Sequence, residues 1–141
     1  MTGRRAHTVA AVRRRLAAPL PRGSRRLIAA IDAVVAVNAF GGMAYALGGA
    51  DAVPSEWLRG SPFRSYRVPG LYLGTVVGGS CLLAAWAAAR DDRRARPAAV
   101  ASSVVMLSWI AAQLTVIGYR SPLQPAILAT GAAVGYLALE E

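Results

Sequence analysis

Residues 70–89 read GLYLGTVVGGSCLLAAWAAA and contain no charged side chain. A helix of this length rises about 30 Å, which matches the hydrocarbon core of a bilayer. Three further apolar runs, residues 27–49, 98–119 and 123–139, precede and follow it. The sequence therefore predicts an all-α integral membrane protein in which four transmembrane helices form a bundle.

The composition of the chain agrees with a membrane protein. Of its 141 residues, 55% are hydrophobic and only 16% are charged, and the mean hydropathy is +0.41. These values are more apolar than those of an ordinary soluble domain. All 16 basic residues are arginine, which with the abundant alanine is typical of a bacterial protein from a GC-rich genome.

The arginines predict the orientation of the helices. Eight precede the first run and four lie in the turn 90–97, whereas three lie in the loop 50–69 and one in the turn 120–122. Because short cytoplasmic segments retain positive charge, both termini are expected in the cytoplasm and the loop 50–69 outside. We expect a multi-pass protein of the cell (inner) membrane whose arginines meet anionic lipid headgroups. This placement argues against a nucleic-acid partner despite the net charge of +9.

The chain is expected to divide into a basic cytoplasmic segment, residues 1–26, and a transmembrane domain, residues 27–141. Apolar side chains recur at near-helical spacing in residues 6–18, which predicts an amphipathic helix on the inner membrane surface. A disordered basic tail is the alternative. The first apolar run is interpreted as a retained anchor, because it is longer than the ~7–15 residues of a signal-peptide core.

Glycine spacing predicts how the helices pack. Gly70, Gly74 and Gly78 lie four residues apart, so they share one stripe and allow a neighbouring backbone to approach closely. Gly131 and Gly135 repeat this spacing in the fourth run. We expect these stripes to pack helices within one chain, with a homo-oligomeric contact as the alternative.

Polar side chains inside or at the ends of the apolar runs form a candidate intramembrane site: Asp32, Asn38, Tyr45, Trp109 and Gln113. An ionisable residue at membrane depth is a functional hypothesis by default, here a proton or cation site. The alternative is a structural anchor, in which Asp32 pairs with Arg25, Arg26 or an arginine of the turn 90–96. Both interpretations place Asp32 near the cytoplasmic interface.

The two amides of this set are expected to serve packing. Gln113 is predicted to bond Asn38 or the external loop, because an unpaired amide in hydrocarbon is costly. Such amides lock a bundle more often than they bind a substrate.

The predicted external loop carries aromatic and basic side chains: Trp57, Phe63, Arg64, Tyr66 and Arg67. Its apolar surface is sufficient for it to lie on the membrane or to fold over the mouth of the bundle as a lid. Its arginines are interpreted as solvated surface charge, with binding of an anionic headgroup or substrate as the alternative.

Signatures of enzymatic chemistry are absent from the sequence. Cys81 is the single cysteine and His7 the single histidine, so a disulfide, a thiolate metal site or bis-histidine haem ligation cannot form within one chain. The GxSxG, Walker and HExxH motifs are also missing. We therefore predict no catalytic residue, no metal and no cofactor.

The order of segments resembles that of the small DoxX-like four-helix bacterial membrane proteins. An anchor is followed by a long loop ending in VPGL at 68–71, a glycine-rich second span, an arginine-rich turn and two further spans. The resemblance covers residues 27–139 and implies a four-helix bundle and, for some members, a subunit role in membrane oxidoreductase or quinone-linked complexes. The first span lacks the aromatic-glycine-lysine pattern of that group, so neither a quinone role nor a residue role is carried over.

Three functions remain open at this point. The leading one is a non-catalytic accessory or scaffold subunit of a membrane complex, which would bind a membrane protein partner. The second is a small proton-coupled transporter or channel with Asp32 as its coupling acid, similar to small multidrug exporters in span count. The third is a lipid- or quinone-binding module.

The orientation is tested with topology reporters. Green fluorescent protein fused after residue 141 is expected to fluoresce, whereas alkaline phosphatase fused there is expected to be inactive. The same two reporters inserted in the loop 50–69 should give the reverse pattern, because that loop is predicted to lie outside. An active phosphatase at the carboxyl end would contradict the predicted topology.

Overall fold

The computed structural model describes residues 2–140, in which every regular element is a helix. Its five principal helices are α1 Thr2–Ala17, α2 Arg22–Leu47, α3 Arg67–Ala89, α4 Ala95–Val116 and α5 Leu123–Leu139. Helices α2, α3 and α4 are long and apolar enough to cross a membrane, and α5, with 17 residues, is shorter. The predicted all-α class is confirmed for these residues.

Three helices begin earlier than the apolar runs. An apolar run shows which residues would lie in hydrocarbon, whereas the helical hydrogen bonds can begin several residues before it. Helix α2 begins at Arg22, five residues before the predicted position, and α3 and α4 begin three residues early, at Arg67 and Ala95. Pro69 and Pro97 do not prevent the early starts, since proline is tolerated in the first turn of a helix.

Two helices end before the predicted positions, and glycine explains both ends. Helix α2 ends at Leu47 and not at residue 49, where Gly49 has a φ of 115°. Helix α4 ends at Val116 and not at residue 119, since Gly118 has a φ of 69°. Glycine adopts such positive φ angles without steric cost, and they terminate a helix.

Helices α2 to α5 pack around one core. Helix α2 packs on α3 and α5, and α4 packs on the same two helices, whereas α2 and α4 make few contacts with each other. The core is rich in alanine, and its largest fully buried apolar side chains are those of Ile28, Val77, Met106 and Val134. Small side chains on facing helices allow short distances between their axes.

Helix α3 approaches α2 along the predicted glycine stripe. A Cβ atom on Gly70 would overlap that of Ala46, and one on Gly74 would overlap the side chain of Met43. The contact is looser at Gly78, where the nearest atom lies 3.2 Å away. Within this helix the segment Leu73–Gly78 is π-helical.

The glycines of α5 lie against α4. A Cβ atom on Gly131 would lie 3.2 Å from that of Met106, and one on Gly135 would lie 2.6 Å from the hydroxyl oxygen of Ser103. That hydroxyl group donates a 2.7 Å hydrogen bond to the carbonyl of Gly131. Close packing and a buried hydrogen bond therefore join the same pair of helices.

Arg96 organises the end of the helices at which α2 begins and α5 ends, termed here the termini end. Its side chain is 4% exposed and donates four hydrogen bonds of 2.6–3.1 Å to the carbonyls of Ala18, Pro19, Ala138 and Glu140. Carbonyls at the end of a helix lack intrahelical donors and carry partial negative charge, which suits a guanidinium group. Arg96 thus fastens the segment after α1 and the end of α5 to α4.

Helix α1 occupies the basic segment, for which the sequence left a helix and a disordered tail open. Its residues 3–15 are all exposed, including Val9 and Val12 at 61% and 53%. Its contacts with the other helices are few and are mainly with α4. Most of its surface is therefore available to the surroundings.

The close approach of α2 and α3 generates a stability prediction. Gly70→Ala should destabilise the protein by about 1–3 kcal/mol, because the new methyl group meets the Ala46 side chain, which has no freedom to move aside. Gly79→Ala, on the same helix but with no atom within 4 Å, should be neutral or stabilising by up to about 1 kcal/mol. The measurement is the free energy of unfolding in SDS titrations. Equal effects of the two substitutions would contradict the contact.

Candidate functional site

The long loop between α2 and α3, residues 48–66, folds back over the helices that it joins. The hydroxyl group of Tyr45 accepts a 3.0 Å hydrogen bond from the backbone of Ala52, and the hydroxyl of Tyr66 donates a 2.7 Å bond to the carbonyl of Pro54. Leu58, in the short 3-10 helix Ser55–Leu58, is buried. The loop is therefore fixed to the end of the helices opposite the termini, termed here the loop end.

The pKa of the Tyr66 hydroxyl is consistent with its donating the hydrogen bond to Pro54. Partial burial, with a smaller contribution from the carboxylate of Glu56, raises the pKa of the Tyr66 hydroxyl. The group is thus protonated at neutral pH and able to donate to Pro54.

A cation–π contact joins the two connections at the loop end. The guanidinium group of Arg120, in the turn between α4 and α5, lies 5.3 Å from the ring centre of Trp57. The Nε atom of Arg120 also donates a 2.9 Å hydrogen bond to the carbonyl of Ile117. These two contacts fix the plane of the guanidinium group.

Two adjoining cavities lie beneath the roof that the long loop and the turn between α4 and α5 form at the loop end. One has a volume of about 250 Å³ and reaches between α2, α4 and α5, and the other has a volume of about 330 Å³ and lies under the long loop. They share six lining residues: Gly42, Trp57, Leu73, Trp109, Gln113 and Ile117. We refer to the pair as the loop-end cavity.

The walls of the loop-end cavity are mainly apolar and aromatic. Trp109 stacks on Tyr72, with 5.3 Å between ring centres and 21° between ring planes. Leu73 and Val77, on the π-helical segment, line the wall contributed by α3. π-Helical turns are rare and occur frequently at functional sites, so this segment agrees with a binding role for the cavity.

Gln124 organises the polar part of the cavity. It is 5% exposed, and its oxygen accepts hydrogen bonds from the backbone of Arg120 and Ser121 at 2.8 and 3.3 Å. Its nitrogen donates to the carbonyl of Gly118 at 3.2 Å and, at 3.5 Å, to the oxygen of Gln113. The prediction that Gln113 bonds Asn38 or the loop is therefore wrong for the described residues, in which Gln113 bonds Gln124 of α5 instead.

The role of Gln124 was missed by the sequence analysis, although a signal for it exists. Ser121 to Gln124 read SPLQ, which matches the S-x-x-Q capping box at the start of a helix. The Gln half of the motif is formed, since Gln124 accepts from the backbone of Ser121, while the Ser121 hydroxyl accepts a 3.2 Å hydrogen bond from the backbone of Leu123. The capping box thus brings a buried amide to the cavity.

The structure distributes the remaining predicted residues around the loop end. Asn38 is exposed and lines the smaller cavity, and Tyr45, Phe63 and Tyr66 line the larger one. The loop arginines Arg64 and Arg67 are exposed and line neither cavity.

Asp32 is separated from the other predicted site residues. Its side chain is fully buried, and its Oδ2 atom lies 3.2 Å from the hydroxyl oxygen of Ser102 on α4. Cys81 of α3 faces the same carboxyl group, and Oδ1 has no hydrogen-bond partner among the described residues. Asp32 lines neither part of the loop-end cavity.

The predicted pairing of Asp32 with an arginine is wrong for residues 2–140. Arg25 instead forms an ion pair with the exposed Asp91, 2.5 Å away, and a hydrogen bond from Arg25 lowers the pKa of Asp91. Arg96 is occupied by backbone carbonyls. Arg25 lies two turns, about 10 Å, from Asp32 along α2, and an arginine that reached inward would lose its hydration.

Comparisons with known proteins do not identify a relative. No family model, curated protein or solved structure matches the chain. The resemblance to the small DoxX-like proteins therefore stays a prediction. Among residues 2–140, no group of three or more histidine, cysteine, aspartate or glutamate side chains is placed to hold a metal ion.

The contact between Asp32 and Ser102 predicts energetic coupling between α2 and α4. In a double-mutant cycle of Asp32→Ala and Ser102→Ala, the two effects on the free energy of unfolding should fall short of additivity by about 0.6 kcal/mol, a typical value for a hydrogen bond between membrane helices. Ser108→Ala, on an exposed position of α4, is the matched control and should be additive with Asp32→Ala. Additivity in both pairs would show that the Asp32–Ser102 contact does not stabilise the fold.

Proposed function

We propose that the protein is an integral membrane protein of four helices, with both termini in the cytoplasm, that binds a lipophilic ligand in the loop-end cavity without catalysing its conversion. The observation that carries this proposal is the cavity itself. Its apolar walls, its few polar side chains and its ordered roof are the features of a ligand pocket, and the larger part has a volume within the usual range.

The surface of the helices supports insertion in a membrane. Val34 and Val37 of α2 and Leu83 of α3 are 68%, 73% and 64% exposed. Side chains of this type are stable at such exposure when hydrocarbon surrounds them, whereas large apolar surfaces are rare on soluble monomers. Helix α5 is about 25 Å long, so it would require local thinning of the bilayer or snorkelling at its ends.

The placement of the polar groups favours binding over proton-coupled transport. A coupling acid has to meet water or substrate, yet Asp32 is fully buried and lines neither part of the cavity. Its bond to Ser102 supports a role in holding α2 and α4 together.

An accessory role in a membrane complex is compatible with ligand binding and is the function implied by the DoxX-like resemblance. The observation that favours it is the full burial of Asp32 between packed helices, which suits a structural subunit better than a carrier. In this role the protein would hold a lipophilic ligand for a membrane protein partner.

Photo-cross-linking tests the proposed cavity. The protein is reconstituted with phosphatidylglycerol that carries a diazirine in its acyl chain, irradiated, and digested for mass spectrometry. Labels are expected on cavity residues such as Leu73 and Trp109. Gly42→Ile should reduce them about tenfold, a loss of about 1.4 kcal/mol in binding, because Gly42 lines both parts of the cavity.

The adjacent glycine supplies the matched control. A Cβ atom on Gly42 would meet only the end of the Leu73 side chain, at 2.9 Å, so the larger residue should be accommodated by filling the cavity. Gly41 has no atom within 4 Å and is exposed, so Gly41→Ile should leave the cavity labels unchanged. Equal labelling of the two variants, or labels confined to exposed positions such as Val34 and Val37, would contradict the proposal.

A further inference from the structure

We propose that the ligand of the loop-end cavity is an amphiphile with an anionic headgroup, and that Arg120 binds this headgroup. The inference rests on the proposed function, because it assigns the chemistry of the ligand that the cavity would hold. Phospholipid phosphates and fatty-acid carboxylates share the required chemistry, an oxyanion attached to hydrocarbon.

The first argument is the position of Arg120. Its side chain lines the smaller cavity and lies against Trp57, which lines both. Stacking and the bond from Nε to Ile117 orient the guanidinium group without using its four Nη protons. Among the described residues, no hydrogen bond is made by the two Nη atoms and no carboxylate lies within ion-pair distance of them.

The second argument is the charge of the lining. The acidic side chains nearest in sequence to the cavity, Asp51 and Glu56, line neither part of it, and Asp32 lies deeper in the core. Arg120 is therefore the only formally charged residue in the described lining of the loop-end cavity. Arg120 is exposed, so water screens its charge in part, but a charge of +1 at the end of an apolar cavity still favours a negative group there over a neutral one.

The third argument is that the other polar groups can donate hydrogen bonds. The oxygen of Gln113 accepts from Gln124, which leaves its NH₂ group without a described partner in the cavity wall. The amide of Asn38 also lines the cavity and has no described partner. Donors from two amides and one guanidinium suit a ligand rich in acceptor oxygens.

The apolar remainder of the cavity fits the hydrocarbon part of such a ligand. Beyond Gln113 the larger cavity is lined by Ala46, Val53, Leu58, Phe63 and Val116, among others. The headgroup would thus lie at the Arg120 side and one chain would extend beneath the long loop.

The experiment compares three probes that carry the same diazirine-labelled chain: a fatty acid, phosphatidylglycerol and neutral diacylglycerol. In the wild-type protein, label at Leu73 and Trp109 is expected to be about tenfold greater for the anionic probes than for diacylglycerol. Arg120→Gln should lower anionic labelling to the diacylglycerol level. The fatty acid and phosphatidylglycerol arms distinguish the two sources of the anion.

Arg64→Gln is the matched control, because Arg64 is exposed on the same loop end and lines neither cavity. Arg64→Gln should leave the labelling unchanged. If the anionic probes were attracted only by the general positive charge of the loop end, either substitution would lower the labelling. Arg120→Lys retains the charge and should retain most of the anionic preference, so it tests the inference if Arg120→Gln does not fold.

The outcomes separate this inference from the proposed function. Equal labelling of the cavity by all three probes, still abolished by Gly42→Ile, would overturn the anionic headgroup and leave lipophilic binding in place. An anionic preference that is unchanged in Arg120→Gln or lost in Arg64→Gln would overturn the role of Arg120. No cavity label from any probe would overturn both proposals.

Discussion

The close approach of α2 and α3 sets the geometry on which the loop-end cavity depends. Gly70 and Gly74 bring α3 so near to α2 that even one methyl group would not fit at these positions. This contact places the π-helical segment Leu73–Gly78 beside α2, with Leu73 directed at Gly42 in the cavity wall. The tight contact and the cavity adjoin each other, since Gly70 and Ala46 also line the larger part of the cavity.

Polar groups at the two ends of the helices are satisfied in different ways. At the termini end, Arg96 bonds four backbone carbonyls. At the loop end, Gln124 satisfies the backbone of its turn, while Arg120, Asn38 and Gln113 keep donors directed at open space. Donors that line a cavity and have no acceptor in the protein can bond a ligand, and this makes the loop end the candidate for binding.

The helical elements could be predicted from the sequence, since uncharged runs of about 20 residues and their glycines are local features. The helices begin before the predicted positions, because their first turns contain arginine and proline and therefore do not belong to an apolar run. The structure brings the predicted site residues together only in part. Trp57, Trp109 and Gln113 line one cavity, whereas Asp32 lies apart from them. Arg25, one of the arginines expected to pair with Asp32, forms an ion pair with Asp91 instead.

The sequence by itself determined the all-helical class, the three long apolar helices and the residues able to pack closely, because each of these follows from composition and spacing along one helix. Only the tertiary structure decided that Asp32 meets Ser102, that Gln124 bonds Gln113 and that Trp57 stacks with Arg120. Such partners are set by the rotation and separation of helices from distant parts of the chain. These quantities depend on the packing of all the helices together, and no local pattern encodes them.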